Sequence, residues 1–247
     1  MTRIVILVAG RGTRMNSELP KVLVPLQGRP MIKYLMDSIR EAGIDPHPVI
    51  VVSPDNADLV KKELKEYELE YVMQEQQLGT GHAVSTAQHL LDDQVDNVLV
   101  LYGDHPFLTA ASLKKCAESS PESLIMLTTK LEDFEDWRHN FYHWGRIVRN
   151  SPGTIARIVE FKDASEEERL ITEVNPAVMC FNRQWLKHNI ARLDNNNSQG
   201  EYYLTDLVKI AFNEGHPVHA IAITPQEAMG INSLTELKIA EELLAKK

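Results

Sequence analysis

Two glycines and three cationic side chains follow the first apolar run of the chain. The glycines are Gly10 and Gly12, and the cations are Arg11, Arg14 and Lys21. Small residues after a strand allow backbone N–H groups to approach an anion, while arginine offers phosphate oxygens a planar fork and lysine a point charge. The loop therefore suits a polyphosphate ligand, although a tight turn with solvated arginines explains its composition equally well.

Two known phosphate-binding loops are excluded by single residues. A dinucleotide-binding fingerprint needs a third glycine or an alanine at the position of Met15. A Walker loop needs Gly-Lys-Ser/Thr, whereas this loop reads Gly12-Thr13-Arg14. The loop must therefore belong to another class of phosphate site, if it binds phosphate at all.

Four short runs of branched apolar residues indicate strands that are buried on both faces, as in a parallel sheet. The runs are Ile4–Val8, Val49–Val52, Val98–Tyr102 and Leu124–Thr128. Helical patterns lie between them at Met31–Ala42, which Gly43 ends, and at Leu59–Leu64, Ala83–Leu91 and Ala111–Ala117. This order predicts an α/β fold with helices on both faces of a parallel sheet. Ligands are then expected beyond the carboxyl ends of the strands, after Val8 and Leu101.

The second half of the chain has a different pattern. A hairpin turn is predicted at Asn150–Gly153, between strand patterns at Arg146–Arg149 and Ile155–Glu160. Val178–Phe181 indicates another strand, and helices are predicted at Trp185–Leu193, Leu204–Asn213 and Leu234–Leu244. Without an internal repeat or a low-complexity linker, the chain is interpreted as one domain whose second half adds a smaller lobe.

Composition and charge exclude several classes of protein. The 247 residues include 26 Lys and Arg against 35 Asp and Glu, a net charge of −9, so neither nucleic acid nor a membrane is expected as a partner. Only two cysteines, Cys116 and Cys180, rule out a disulfide framework and a four-cysteine zinc site, and reduced thiols are expected. No stretch is long enough for a signal-peptide core or a membrane span, so a cytoplasmic location is expected.

The glycine loop and six further segments resemble one family of enzymes. Residues 7–15 and 19–23 resemble the signature of sugar-nucleotide pyrophosphorylases. The further segments are Gln76–Ala83, Tyr102–Asp104, Gly145–Ile147, Ile158–Ala164, Asn195–Asp206 and Gly230–Asn232. In this order, and from Ile4 to about Glu241, they resemble the uridylyltransferase domain of the bifunctional N-acetylglucosamine-1-phosphate uridylyltransferases.

The resemblance implies a fold and a reaction. It implies one nucleotidyltransferase domain over residues 1–247 with a Rossmann-like, mixed, mostly parallel sheet. About residues 1–130 would bind the nucleotide, about 131–232 would form a small β-rich sugar-binding lobe, and about 233–247 would form a C-terminal helix. In the implied reaction, the phosphate of N-acetylglucosamine 1-phosphate attacks the α-phosphate of UTP, and pyrophosphate leaves. Because the nucleophile is already an anion, positioning and charge neutralisation should dominate catalysis.

The resemblance also implies roles for individual residues. Mg²⁺, a cation that prefers oxygen ligands, would be bound by Asp104 and Asn232, and the phosphates by the catalytic residues Arg14 and Lys21. By position alone, Asp104 is equally well explained as a capping residue of a turn, and Asn232 as a residue at a helix start. The nucleotide would contact Leu7, Val8, Ala9, Gly10, Gln74, Gly79, Thr80, Tyr102 and Gly103. The sugar would contact Gly145, Glu160, Asn175, Tyr203 and Thr205.

Three departures from the family pattern concern the substrate pockets. Val8 stands where the family usually has alanine, Asn175-Pro176-Ala177 replaces Asn-x-Gly, and Asp133–His143 is longer than expected and rich in aromatic residues. Because proline fixes φ and alanine lacks the freedom of glycine, the sugar site could be reshaped. We expect the aromatic residues to pack on the lobe; stacking on the sugar or covering the pocket is the alternative. The identity of the sugar therefore stays open.

Other functions also stay open at this stage. The same chemistry could act on another sugar 1-phosphate or nucleoside triphosphate, and a non-catalytic UDP-sugar-binding protein would have the same residues. A glycosyltransferase is disfavoured because Asp104-His105-Pro106 lacks the second aspartate of the Asp-x-Asp signature. The hexapeptide repeats that carry the acetyltransferase of the bifunctional relatives do not occur in this sequence. We therefore expect no acetyltransferase activity, and a monomer or weak homodimer.

Overall fold

The computed structural model describes residues 1–10, 12, 15, 17–119, 121–151 and 153–245. Its strands are β1 (Thr2–Leu7), β2 (Pro25–Leu26), β3 (Arg29–Pro30), β4 (Val49–Val52), β5 (Glu70–Met73), β6 (Asn97–Tyr102), β7 (Leu124–Lys130), β8 (Arg146–Ser151), β9 (Thr154–Val159), β10 (Glu173–Val174), β11 (Met179–Asn182) and β12 (His219–Ala222).

The α-helices are α1 (Met31–Ala42), α2 (Ala57–Glu63), α3 (Thr80–Thr86), α4 (Ala110–Ala117), α5 (Glu166–Arg169), α6 (Arg183–Asn189), α7 (Asp206–Asn213), α8 (Pro225–Ala228) and α9 (Leu234–Leu244). Short 3₁₀ helices occur at Lys21–Leu23, Gln88–Leu90, Asp136–Phe141 and Ile190–Arg192. None of the helices in this described part of the chain is long and apolar enough to cross a membrane.

A single mixed sheet organises the molecule. Among the described residues, ten strands form it in the order β5-β4-β1-β6-β11-β7-β10-β8-β9, and β12 also pairs with β7. In its central part, from β5 to β7 and including β12, every strand except β11 runs in the same direction. The predicted α/β class with a mixed, mostly parallel central sheet is therefore confirmed.

The apolar run of β1 is explained by packing on both sides of the sheet. Ile4 and Ile6 contribute to a core formed with α1, α4 and α9, whereas Val5 and Leu7 contribute to a second core with α3, α6 and α7. Successive side chains of a strand point to opposite faces. A strand covered on both faces therefore needs the uninterrupted apolar sequence that Ile4–Leu7 has.

The placement of β11 is the main feature that the sequence did not predict. The pattern at Val178–Phe181 indicates a strand but not its partners. The structure inserts β11 antiparallel between β6 and β7, so the second half of the chain completes the central sheet. The strands β5 and β12 were not predicted, because each is only four residues long and partly exposed.

Most predicted helices are present, with shifted ends. α1 and α9 begin and end at the predicted residues. By contrast, α3 begins at Thr80 instead of Ala83, and α7 begins at Asp206 instead of Leu204. The predicted hairpin is formed by β8 and β9, which pair antiparallel. Local periodicity thus identified the elements better than their limits.

An interruption between β10 and β11 contains the Asn-Pro-Ala sequence. Ala177 has a φ of +59°, in the left-handed region that favours glycine. Its N–H donates to Oδ1 of Asn175 at 2.9 Å, and the N–H of Asn175 donates to the carbonyl of Gly145 at 2.9 Å. Alanine therefore adopts a glycine-like conformation here, stabilised by an asparagine turn.

Candidate active site

Two adjoining cavities lie beyond the carboxyl ends of β1 and β6. The first cavity has a volume of about 520 Å³ and the second about 280 Å³. Their shared wall consists of Thr80, Tyr102, Asp104, Glu201 and Asn232. This edge is where open α/β sheets usually bind ligands. Two ligands can therefore lie side by side, with Asp104 and Asn232 between them.

The first cavity brings together all but one of the predicted nucleotide contacts. The residues that line it as predicted are Leu7, Val8, Ala9, Gly10, Gln74, Gly79, Thr80 and Tyr102. Gly103 is the exception: it lines neither cavity, and a Cβ at this position would meet the side chains of Val8 and Val22 at 3.0 Å. Gly103 is therefore tightly packed beside the first cavity, and its contact with a nucleotide stays a prediction.

Hydrogen bonds from two neighbouring side chains hold the end of β1 in place. Nδ2 of Asn56 donates to the carbonyl of Val8 at 2.8 Å, and Nε2 of Gln77 donates to the carbonyl of Ala9 at 2.8 Å. Because these carbonyls are already bonded, the segment is positioned before a ligand arrives. The predicted phosphate residue Arg14, like Arg11, lies outside the described residues.

The carboxamide of Gln74 is oriented by two contacts. Its Nε2 donates to the carbonyl of Gly79 at 3.1 Å and lies 3.0 Å from Nδ1 of His82. Gly79 has a φ of +111°, and a Cβ there would come within 2.7 Å of the carbonyl oxygen of Tyr202. Only glycine fits this close approach, which places the start of α3 against the first cavity.

The Lys21 ammonium connects two residues of the shared wall, Asp104 and Asn232. It forms an ion pair with Oδ2 of Asp104 and donates to Oδ1 of Asn232 at 3.0 Å. The other carboxylate oxygen of Asp104 lies 3.0 Å from Nδ1 of His105. Burial alone would raise the pKa of Asp104, but the Lys21 ammonium and His105 hold it well below its ordinary value. Asp104 is therefore a buried carboxylate that stays ionised.

The same two oxygens fit the donor set of Mg²⁺. Oδ2 of Asp104 and Oδ1 of Asn232 converge on one point, since both contact the same ammonium nitrogen. Carboxylate and carbonyl oxygens are the ligands that Mg²⁺ prefers, with waters and substrate phosphates completing its shell. In the described part of the chain, no group of three or more His, Cys, Asp or Glu side chains could hold a metal ion. A cation bound here would therefore depend on ligands from the substrate.

All five predicted sugar contacts line the second cavity: Gly145, Glu160, Asn175, Tyr203 and Thr205. The Thr205 hydroxyl donates to Oε1 of Glu160 at 3.0 Å. Burial raises the pKa of Glu160, and although the Thr205 hydrogen bond opposes this, the nearby carboxylates Asp206, Asp163 and Glu201 raise it further. The cavity thus contains a buried carboxylate that can accept hydrogen bonds.

Several lining residues were not predicted as site residues. Glu201 lies in both linings and belongs to the Asn195–Asp206 segment, so the motif already pointed to its position. Glu236, in the first turn of α9, also lines the second cavity. Three more, Asn140, His143 and Trp144, belong to or follow the aromatic-rich segment that was expected to pack on the lobe. The packing occurs, because Phe141 is fully buried, but the segment also forms part of the cavity wall.

Both cysteines lie in the core. Cys116 in α4 and Cys180 in β11 are buried, and both thiols are free. Burial raises the pKa of Cys116 to about 12. These are packing residues that line neither cavity, and their free thiols agree with the expectation of reduced cysteines.

Comparisons with known proteins identify the family to which this chain belongs. Residues 4–225 match the model of the MobA-like NTP transferase domain. "Bifunctional protein GlmU" of Clostridium novyi (strain NT) is 39% identical over 242 residues, which are 97% of this chain and 51% of the relative. The protein of the same name from Trichlorobacter lovleyi is 43% identical over 247 residues, or 98% of this chain and 52% of the relative. The chain spans about half the length of these curated relatives.

A solved structure shares the fold over nearly the whole chain. It is the inositol-1-phosphate CTP transferase from T. maritima, with a TM-score of 0.75 and 19% sequence identity. The match covers 99% of this chain and 95% of that chain. At this identity the likeness shows the fold alone, whereas the family match covers most of the sequence. The chain belongs to the family of MobA-like NTP transferase domains and is thus a nucleotidyltransferase.

Proposed function

We propose that this chain transfers the uridylyl group of UTP to N-acetylglucosamine 1-phosphate and releases pyrophosphate. The observation that carries the proposal is the meeting of two cavities at Lys21, Asp104 and Asn232. A nucleoside triphosphate in the first cavity and a sugar phosphate in the second would bring their phosphates together at this point. The fold and the family match support the class of reaction.

The chain's own residues would act mainly by positioning and charge. The sugar phosphate needs no general base, because its attacking oxygen is already an anion. Lys21 can turn from Asp104 and Asn232 towards a phosphate oxygen on its flexible stem, which would neutralise charge on the reacting phosphate. Asp104 and Asn232 would then hold Mg²⁺, which supplies charge neutralisation for the phosphates when bound. Arg14 remains a predicted second phosphate contact.

The orientation of Gln74 favours uracil as the base. Its N–H donors are engaged by Gly79 and His82, which leaves its carbonyl oxygen as the acceptor in the first cavity. Uracil presents an N3–H donor, whereas cytosine presents an unprotonated N3 acceptor. A carbonyl acceptor can therefore pair with uracil and would repel the corresponding atom of cytosine.

The polar groups of the second cavity suit an uncharged sugar. Glu160 offers an acceptor for hydroxyl groups, and Asn175 keeps its Nδ2 as a donor because its Oδ1 is bound to the N–H of Ala177. An N-acetylated sugar carries both hydroxyl donors and a carbonyl acceptor. The two residues together therefore match the hydrogen-bonding groups of N-acetylglucosamine.

Pyrophosphate release tests the proposal across a matrix of substrates. UTP and CTP are each combined with N-acetylglucosamine 1-phosphate, glucose 1-phosphate and inositol 1-phosphate, with Mg²⁺ present. We expect the highest kcat/KM for UTP with N-acetylglucosamine 1-phosphate. Faster turnover with CTP or with inositol 1-phosphate would contradict the proposed substrates but keep the reaction type. Binding of UDP-N-acetylglucosamine without any pyrophosphate release would instead support a non-catalytic UDP-sugar-binding protein.

A cytoplasmic location and a monomeric or weakly dimeric state are further parts of this proposal. The oligomeric state can be measured by light scattering on the purified chain. A stable trimer would contradict it.

A further inference from the structure

The aromatic segment, residues Asp133–Trp144, has no role in the reaction as proposed above. Its 3₁₀ helix, Asp136–Phe141, lies between β7 and β8. Phe141 is completely buried, and its ring centroid lies 4.7 Å from that of Trp144, which lines the second cavity. Buried packing of this kind fixes the position of the segment beside the sugar site.

The buried guanidinium of Arg146 holds this segment through hydrogen bonds to its backbone. Arg146 is fully buried and donates to the carbonyls of Tyr142 at 2.6 Å and of Trp144. It also donates to the carbonyl of Arg169 at 3.3 Å, and its guanidinium lies 4.7 Å from the ring centroid of Phe134. The planar fork of arginine can satisfy several acceptors at once. The backbone that carries the cavity-facing residues is therefore held rigidly.

The aromatic segment is also connected to the reacting centre. The ring of Trp144 makes an edge contact with His105, with centroids 5.7 Å apart. His105 in turn contacts the carboxylate of Asp104. A shift of Trp144 would therefore change the lining of the second cavity and, through His105, the position of the Asp104 carboxylate.

Asn140 is the residue of this segment with an unused polar group. Its side chain lines the second cavity, while its Nδ2 is shielded from solvent and has no hydrogen-bond partner among the described residues. An unpaired buried donor destabilises the free protein, and most such groups in native structures acquire a partner. The terminal torsion of asparagine is soft, so a small rotation can direct this donor to a ligand in the cavity.

The charges around Asn140 restrict what that ligand can be. Glu160, Glu201 and Glu236 line the same cavity, and none of the described residues that line it is a lysine or an arginine. A sugar that carries a carboxylate would be repelled by these side chains. A sugar with a neutral acceptor, such as a carbonyl or hydroxyl oxygen, would be accepted by Asn140.

We propose that the aromatic segment is a specificity-determining wall of the sugar site, in which Asn140 donates a hydrogen bond to a neutral acceptor oxygen of the sugar 1-phosphate. This inference rests on the proposed function, because it takes the second cavity as the sugar site. It adds a residue outside the segments in which the chain resembles the uridylyltransferases. The oxygen that it recognises is a substituent of the sugar ring, not its phosphate.

Three variants test the role of Asn140. Asn140→Ala removes the donor, Asn140→Asp replaces it by a carboxylate of the same shape, and Asn150→Asp adds the same charge at an exposed position of β8 as a control. In the uridylyl transfer assay we expect the KM for N-acetylglucosamine 1-phosphate to rise about five- to tenfold in Asn140→Ala, and further in Asn140→Asp. The KM for UTP should stay unchanged, and Asn150→Asp should behave as the wild type.

A binding measurement separates this inference from the proposed function. The side-chain amide signals of Asn140, assigned by their loss in Asn140→Ala, should shift in NMR spectra when N-acetylglucosamine 1-phosphate is added. If they shift although no pyrophosphate is released, the proposed reaction is wrong and Asn140 still contacts the sugar. If the signals stay unchanged, or if both Asn140 variants keep a KM for the sugar phosphate within twofold of the wild type, the inference is overturned.

Discussion

Replacing Asp104 by asparagine removes one negative charge and keeps the shape of the side chain. Asp104 follows β6, is only 4% exposed, and its carboxylate contacts the Lys21 ammonium and His105. In Asp104→Asn, the site would lose the anion that holds Lys21 in place and that we propose as a Mg²⁺ ligand. The substitution therefore tests charge separately from packing.

The expected loss follows from the strength of one charge–charge interaction. Two unit charges about 4 Å apart interact by about 4 kcal/mol at an effective dielectric constant of about 20. If that interaction is realised in the transition state, its loss lowers the rate about 10³-fold. Losses of single electrostatic groups in other enzymes are about 10²–10³-fold. We therefore expect kcat to fall about 10²–10³-fold in Asp104→Asn.

The assay is pyrophosphate release at varied Mg²⁺ concentration, with a matched control at the other end of the same strand. Asp96 precedes β6, and its side chain is 75% exposed and paired with the N-terminal ammonium. Asp96→Asn should therefore keep the wild-type kcat, while Asp104→Asn should also need more Mg²⁺ for half-maximal rate. Circular dichroism shows whether each variant is folded. A folded Asp104→Asn protein with wild-type kcat and unchanged Mg²⁺ dependence would refute the role of this carboxylate.

Three further predictions concern stability and its link to the proposed sugar site. Because burial raises the pKa of Glu160, its ionised form destabilises the fold, so Glu160→Gln should raise Tm by about 2–4 °C near pH 8. That gain in Tm should shrink towards about pH 4, where wild-type Glu160 is protonated and no longer destabilises the fold. The KM of Glu160→Gln for the sugar phosphate should rise. Ala177→Gly should increase the free energy of unfolding in urea by about 0.5 kcal/mol, because φ is +59°. Arg146→Lys should reduce it by about 2–4 kcal/mol, because an ammonium cannot reproduce the fork that binds several carbonyls.

Each of these predictions has an outcome that contradicts it. A Tm difference for Glu160→Gln that is the same at pH 8 and near pH 4 would show that its carboxylate is not destabilising. Ala177→Val should be clearly less stable than the wild type, since a β-branched residue tolerates positive φ poorly, and equal stability would disprove strain at this position. Wild-type stability in Arg146→Lys would mean that the guanidinium is not needed to hold the aromatic segment.

Much of the architecture could be predicted from local patterns in the sequence. The limits of α1, β4 and α9 follow from periodicity, capping residues and runs of branched apolar residues, which act over a few neighbouring positions. The order of these elements predicted an α/β sheet and a ligand site at the carboxyl edge. Motif order pointed to the residues of both cavities, including Lys21, Asp104 and Asn232, which are far apart along the chain.

Other features depend on contacts between distant parts of the chain, and only the tertiary structure decided them. The pattern of β11 cannot specify its place between β6 and β7, because pairing is decided by which strand edges remain uncovered. Gly103 belongs to a motif segment, yet only the structure shows that Val8 and Val22 pack closely against it and that it lines neither cavity. Asn140 belongs to none of the sequence motifs. Its place in the second cavity results from the burial of Phe141 and Arg146, which is a property of packing in three dimensions and not of any local pattern.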